Sequence, residues 1–84
     1  MNIAFTPNGW ADYKYWAKNE KAMLRRVNAL LADCLRTPFG GIGKPEPLKH
    51  QLAGYWSRRI TDEHRLIYAV DDAQLVVIAT RHHY

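Results

Sequence analysis

Arginines, a glutamate and histidines are the residues of this chain that could do chemistry. Three arginines, Arg58, Arg59 and Arg65, fall within WSRRITDEHRLIYAV, a segment whose other residues favour a β-hairpin. Guanidinium groups on an otherwise apolar pleated surface are costly unless water, acids or an anionic partner meet them. The segment alone leaves two alternatives. Either the arginines are solvated, some of them paired with Asp62, Glu63 or other acids, or they bind an anion.

A glutamate between two prolines is the second candidate. Pro45 and Pro47 fix their own φ and favour extended geometry at the residues before them, Lys44 and Glu46. A carboxylate held in this way loses little backbone entropy when it meets a target. The alternative is an edge strand or rigid loop with a solvent-facing glutamate. Lys49 follows within reach of the same region.

The chain ends in a polar, ionisable cluster, Arg81, His82, His83 and Tyr84, directly after an apolar stretch. An imidazole exchanges protons near neutral pH, so such a cluster at the end of a buried strand favours a functional site. A metal site is the weaker alternative. Adjacent residues of a strand point to opposite sides, and no cysteine or carboxylate spacing completes a zinc ligand set.

Composition limits the kind of protein that carries these residues. The 84 residues carry a net charge of +4 with five tyrosines and three tryptophans, so we expect one basic, aromatic domain spanning residues 1–84. Such a domain favours a nucleic-acid partner. The single cysteine, Cys34, suits a core position in a reducing cytosol. No apolar run suggests a signal peptide or a membrane span, so we expect a cytoplasmic protein with no membrane partner.

Two helices should follow a short first strand and precede the other strands. After a short strand over Asn2–Phe5, Thr6 and Pro7 are typical of an N-cap and a first helical position. The aromatic residues that follow recur at helical spacing, which predicts a first helix of two to three turns. This spacing favours packing in the core over a stacking platform for bases. The aromatic residues are Trp10, Tyr13 and Trp16.

The second helix should begin after Asn19, a candidate N-cap, and end before Thr37–Pro38. Its apolar residues form one stripe with spacing i, i+4, i+7, i+8 and i+11. They are Met23, Val27, Leu30, Leu31 and Cys34. Lysines and arginines around the stripe indicate a solvated face that could also steer the protein toward RNA.

The remaining chain predicts turns and strands. FGGIG, residues 39–43, indicates a flexible turn that lacks the lysine and Ser/Thr of a phosphate-binding loop. Gln74–Thr80 is apolar on both faces and should be a central strand. In the hairpin, a two-residue turn at Asp62–Glu63 would put Arg59 and Arg65 on opposite faces. A bulge or an odd-length loop would bring them to one face, and the sequence leaves this open.

Three colinear blocks resemble a known family. They are GKPEPLKH at Gly43–His50, WSRRITDEHRLIYAV at Trp56–Val70, and the terminal His83–Tyr84. These blocks are similar to those of the Txe/YoeB toxins of bacterial toxin–antitoxin systems, members of the RelE-like superfamily. The aromatic WADYKYW fits as well, and the resemblance covers essentially the whole chain. Ile42 departs from it, as an apolar residue in an expected polar loop.

The resemblance implies a RelE-like α+β fold, with two N-terminal helices packed on one face of a mostly antiparallel four- to five-stranded sheet. The element order read from the residues agrees with this fold. The implied activity is that of a metal-independent, cofactor-free endoribonuclease that cuts mRNA in the decoding site of a translating ribosome. The implied partner is an acidic antitoxin of the YefM type, which keeps the toxin inactive. Whether the toxin is a homodimer stays open.

The resemblance also implies residue roles. The substrate's 2′-OH would attack the adjacent phosphate, with Glu46 as the base, His83 as the acid and Arg65 holding the phosphate. Auxiliary substrate contacts would come from Lys49, Arg59 and Tyr84. Two alternatives belong to other classes: a non-catalytic toxin on the same scaffold that poisons DNA gyrase, and a single-strand RNA-binding module. Neither requires a carboxylate, an imidazole and an arginine in one cleft, so the three together favour the nuclease.

Overall fold

The computed structural model describes residues 1–82, so His83 and Tyr84 lie outside the described residues. The elements are β1 (Asn2–Phe5), α1 (Pro7–Asn19), α2 (Lys21–Arg36), β2 (Glu46–Pro47), β3 (Trp56–Arg59), β4 (Arg65–Val70) and β5 (Gln74–Ala79). The five strands form one sheet in the order β1-β5-β4-β3-β2. Only the β1–β5 pair is parallel among the pairs of this sheet. The predicted α+β fold, with two helices over a mostly antiparallel sheet, is confirmed.

The start of α1 follows the predicted chemistry. Thr6 is the N-cap and its Oγ1 accepts a hydrogen bond of 3.0 Å from the Gly9 N–H, with Pro7 in the first helical position. A Cβ at Gly9 would overlap the Val77 carbonyl, so a glycine is needed where the helix meets β5. The helix has 13 residues and is therefore longer than two to three turns. Trp16 is buried, but Trp10 is 46% exposed, so the predicted core packing of the aromatics holds only in part.

Helix α2 carries the predicted stripe but not the predicted cap. Glu20, in extended geometry, stands between the two helices, and Asn19 is still the last residue of α1. The Asn19 amide donates back to the Tyr15 carbonyl, which is why it does not cap the second helix. The helix ends at Arg36, before Thr37–Pro38, as predicted. Its buried apolar residues are Val27, Leu30, Leu31 and Cys34, with Met23 partly buried.

The hydrophobic core lies between the helices and one face of the sheet. The strands contribute Leu66 and Tyr68 from β4, and Leu75 and Val77 from β5, all of them fully buried. Strand β5 lies between β1 and β4 and is central, as its sequence predicted. Because side chains alternate along a strand, the neighbours of these residues point to the opposite face. In the part of the chain that the structure describes, neither helix is long and apolar enough to cross a bilayer.

Candidate functional site

Strand register places the predicted charged residues on one face. Arg59 lies directly opposite Arg65, and the Glu46–Ser57 and Ser57–Ile67 pairs continue the same face across β2, β3 and β4. We call this surface, made of Glu46, Ser57, Arg59, Arg65 and Ile67, the far face, because it is turned away from the helices. Ser57 and Ile67 are buried at its centre, and the charged residues surround them.

The length of the hairpin loop decides this arrangement. The loop between β3 and β4 has five residues, Ile60 to His64, rather than a two-residue turn at Asp62–Glu63. The Thr61 hydroxyl accepts hydrogen bonds from the Glu63 and His64 N–H groups, at 3.2 and 3.1 Å. The Ile60 N–H donates to the His64 carbonyl at 3.0 Å. This odd-length loop answers the question that the sequence left open and brings Arg59 and Arg65 together.

Two arginines therefore occupy directly opposite positions across the hairpin. Residues directly opposite in an antiparallel pair have Cβ atoms about 5 Å apart, and like charges there are destabilising. Arg65 directs one nitrogen, Nη1, to the carbonyls of Thr61, Asp62 and His64. Within the described residues, Arg59 has only a loose ion pair, 3.7 Å from Nη1 to the fully exposed Asp62 carboxylate. A pair of cations with so little compensation is suited to receive an anion.

Glu46 sits on the edge strand β2, and its side chain is exposed. Two strand spacings, about 10 Å, separate β2 from β4, a gap that a glutamate and an arginine can close around a phosphodiester. The extended geometry predicted for Glu46 is confirmed. The prediction for Lys44 is wrong, since its φ is +51° where the chain leaves the glycine-rich loop. Lys49 is exposed just before a 3₁₀ turn, His50–Leu52, and its side chain bonds to no other described residue.

Arg58 is neither solvated nor available to a ligand. Its side chain is fully buried on the core side of β3, where Nη1 donates to the Asp33 carboxylate at 2.6 Å. Its Nε donates to the Tyr68 hydroxyl at 3.2 Å. The hydrogen bond from Arg58 lowers the pKa of the Asp33 carboxyl below its ordinary value. One feature of the sequence indicates this pair. Asp33 lies next to Cys34 among the apolar residues of the α2 stripe, where a buried carboxylate requires a cationic partner.

The same guanidinium holds the glycine-rich loop, which is therefore not the flexible turn that its composition indicated. Nη2 donates to the carbonyls of Thr37 and Gly40, each at 2.6 Å, and Nη1 donates to that of Ile42 at 3.0 Å. Asp33 accepts from the Ile42 N–H at 3.0 Å. Gly41 has a φ of +98°, and a Cβ there would overlap the Asp33 carboxylate. Lys44 and Pro45 join the loop to β2, so this network fixes the chain just before Glu46.

Helix α1 anchors the segment that leads to the C-terminus. The Thr80 N–H donates to the Asp12 carboxylate at 3.0 Å, and the Trp16 indole donates to the Thr80 carbonyl at 3.0 Å. The Arg81 guanidinium lies 3.7 Å from the centre of the Tyr15 ring, in a cation–π contact. Of these residues, only Arg81 belongs to the terminal polar cluster that the sequence associates with a functional site.

The last described residue is tied to the hairpin beside Arg65. The His82 N–H donates to His64 Nδ1 at 2.8 Å, and the Arg65 N–H donates to the His82 carbonyl at 2.8 Å. His83 and Tyr84, the predicted acid and substrate contact, follow in the sequence but lie outside the described residues. Within residues 1–82, no group of three His, Cys, Asp or Glu side chains could hold a metal ion.

The two helices on a five-stranded sheet, with this basic far face, define a RelE-like protein. Residues 5–84 match the family described as the YoeB-like toxin of bacterial type II toxin-antitoxin system. Toxin YoeB of Streptomyces coelicolor is 55% identical over the full length of both chains. The chain therefore belongs to the YoeB-like toxin family.

Solved structures agree with this assignment. A YoeB/ParE toxin from Agrobacterium tumefaciens superposes with a TM-score of 0.97, at 48% identity and full coverage of both chains. The toxin of a heterotetrameric YoeB-YefM toxin-antitoxin complex from Staphylococcus aureus superposes with a TM-score of 0.92. That match has 47% identity and covers 100% of this chain and 98% of the other.

Proposed function

We propose that this toxin is a metal-independent endoribonuclease that cleaves mRNA, bound in the decoding site of the ribosome, and so inhibits translation. The observation that carries the proposal is the far face. Arg59 and Arg65 lie opposite each other there, with the exposed Asp62 as a loose counter-ion among residues 1–82, and a glutamate, Glu46, lies on the same face. A phosphodiester supplies the missing negative charge, and the carboxylate supplies a base.

The proposed reaction is an internal transesterification. Glu46 removes the proton of the substrate 2′-OH, whose oxygen then forms a bond to the adjacent phosphorus. Arg65, helped by Arg59, binds the non-bridging oxygens as negative charge develops on them. The bond from phosphorus to the 5′ oxygen breaks, and His83 gives that oxygen a proton. The products are a 2′,3′-cyclic phosphate and a 5′-OH. Lys49 and Tyr84 are proposed as further substrate contacts.

The proposed partner besides mRNA and the ribosome is an acidic antitoxin. The Staphylococcus aureus relative forms a complex with YefM, and we extend that type of partner to this chain. A cationic far face is complementary to an acidic segment that folds onto it. Blocking access of RNA to Glu46 and Arg65 would then keep the toxin inactive.

The test is a set of single substitutions assayed on ribosome-bound mRNA and on free RNA, with excess EDTA in the free-RNA assay. Glu46→Ala and His83→Ala should each slow cleavage by about 10²–10⁴-fold, as is typical of general acid–base groups. Folding and antitoxin binding should be retained. Glu63→Ala, which removes an exposed carboxylate from the hairpin loop, is the control and should cleave at the parent rate.

A substrate with sulfur at the 5′ leaving position separates the two roles. Sulfur leaves readily without protonation, so this substrate should largely rescue His83→Ala but not Glu46→Ala. Equal rescue of both variants would contradict the assigned roles. A parent protein that binds RNA without cutting it would instead support the RNA-binding module. Gyrase inhibition without RNA cleavage would support the gyrase poison.

A further inference from the structure

His64 closes a clamp on the backbone of His82. Its Nδ1 accepts the His82 N–H, while the neighbouring Arg65 N–H donates to the His82 carbonyl, both at 2.8 Å. His82 has a φ of +61°, in the left-handed region that is unfavourable for a residue with a Cβ. Two hydrogen bonds from consecutive residues of the hairpin hold it there.

The clamp is rigid on the hairpin side. The His64 N–H donates to the Thr61 hydroxyl at 3.1 Å, and the His64 carbonyl accepts from Ile60 and Thr61. Its ring lies edge-on to the buried Trp16, with centroids 4.9 Å apart, and its side chain is only 13% exposed. Backbone and ring are therefore both fixed, so Nδ1 is a preorganised acceptor.

The position of the acceptor on the ring is specific. An N–H donor requires an unprotonated Nδ1, so the other nitrogen, Nε2, carries the proton of the neutral ring. Nε2 lies 3.9 Å from the exposed Glu63 carboxylate. The hydrogen bond to the His82 N–H therefore requires an acceptor atom at the δ position of residue 64.

We propose that His64 is a positioning residue for RNA cleavage, which orients the chain at His82 so that His83, the next residue, delivers its proton to the leaving oxygen. This inference rests on the proposed function and deepens it. His64 itself does not touch the substrate. It acts through the backbone of His82, close to Arg65, and so orients the chain that leads to the proposed acid.

A pair of nearly isosteric variants tests the proposal. In His64→Asn the amide oxygen can take the place of Nδ1, whereas in His64→Gln the amide lies one methylene further out, near the position of Nε2. His64→Asn should cleave within about threefold of the parent. His64→Gln and His64→Leu should lose about 10²-fold, the scale on which a misplaced catalytic group costs rate. Equal rates for the Asn and Gln variants would overturn the proposal.

The substrate with the 5′ sulfur distinguishes positioning of the acid from general damage to the fold. Because that substrate does not need the acid, His64→Leu and His64→Gln should cleave it within about threefold of the parent. An equal loss on both substrates would overturn the positioning role, since it would show that the substitution damages the site as a whole.

Hydrogen exchange of the His82 amide tests the clamp without any cleavage. The amide should be protected in the parent and in His64→Asn, and should exchange faster in His64→Gln and His64→Leu. Equally fast exchange in the parent and His64→Leu would overturn the clamp. A parent that cleaves neither substrate would overturn the proposed function instead, so the two failures are distinct.

Discussion

Arg59 and Arg65 are the residues at which local chemistry points most directly to a ligand. A cross-strand pair of like charges is unfavourable in an isolated sheet. Here the two arginines lie opposite each other, and within residues 1–82 only the exposed Asp62 is a loose counter-ion. Arg65 is already oriented by three loop carbonyls bonded to one nitrogen. It can therefore bind a phosphate with little loss of conformational entropy.

Arg65→Lys tests whether the shape of the guanidinium matters beyond its charge. Arg65→Ala should slow cleavage by about 10²–10³-fold, as expected for a lost donor to a developing charge. Arg65→Lys should recover only part of this, because an ammonium lacks the bidentate fork. The measurement is the single-turnover rate on bound mRNA. Cleavage by Arg65→Ala at the parent rate would contradict the role, and Arg59 and Lys49 would then be the next phosphate ligands to test.

At the scale of elements, the Arg58–Asp33 pair joins α2, β3 and the glycine-rich loop. Its guanidinium is wholly buried and bonds to a carboxylate, a phenol and three carbonyls. A buried ion pair adds little net stability over an apolar substitute, but removal of one partner leaves the other unpaired. The pair thus makes the loop, and Glu46 beyond it, depend on the core.

Arg58→Met should lower the free energy of unfolding by about 3–5 kcal/mol, because it removes the buried cation beside the Asp33 carboxylate and the donor of the Thr37, Gly40 and Ile42 carbonyls. Denaturant titration followed by tryptophan fluorescence measures this loss. Arg59→Met, the adjacent exposed arginine, is the matched control and should change stability by less than about 1 kcal/mol. If Arg58→Met also changed the free energy of unfolding by less than about 1 kcal/mol, the glycine-rich loop would not depend on the hydrogen bonds of Arg58.

Asp33→Asn should change the pH dependence of stability. The Asp33 pKa is lower in the folded protein than its ordinary value of 3.8, so the carboxylate stabilises the fold above that pH. The advantage of the parent over Asp33→Asn should be largest near neutral pH and should disappear as the pH falls below 3.8 through the folded-state pKa. Denaturation from pH 7 to well below pH 3.8 measures it, with the exposed Asp72→Asn as a control for lost charge. A pH-independent difference would contradict this linkage.

At the scale of the whole molecule, the distribution of charge matters more than its sum. The net charge is +4, but basic residues lie both on the helical layer and on the far face. An acidic antitoxin that blocks the site should depend on the far face in particular, because its charges are closest to the bound segment.

Charge reversals on the two sides of the molecule test this dependence. Arg65→Glu and Lys18→Glu change the net charge equally, but Lys18 lies in the last turn of α1. Arg65→Glu should weaken antitoxin binding at least tenfold more than Lys18→Glu, as measured by calorimetry at about 0.15 M salt. The difference should shrink at higher salt, because exposed charges are then screened. Equal effects, or a complex structure that leaves Glu46 and Arg65 uncovered, would contradict competitive blocking.

Local sequence patterns determined the elements of this protein and most of its candidate site. Thr6–Pro7, the α2 stripe and the apolar Gln74–Ala79 specify a helix start, a helix face and a central strand through capping, periodicity and β-propensity, which act between near neighbours. The proline-flanked Glu46 and the arginine-rich hairpin segment that contains Arg65 likewise indicate these two residues as candidates from sequence alone.

Tertiary structure alone decided what depends on register and distant contacts. The five-residue loop put Arg59 beside Arg65, because one residue more or less reverses the face of every side chain in a strand. The burial of Arg58 depends on Asp33, 25 residues away, and the proposed role of His64 depends on its hydrogen bond to His82, 18 residues away. A local pattern cannot encode such partners, because an arginine or a histidine has the same propensities whether it faces water, a carboxylate or a backbone amide.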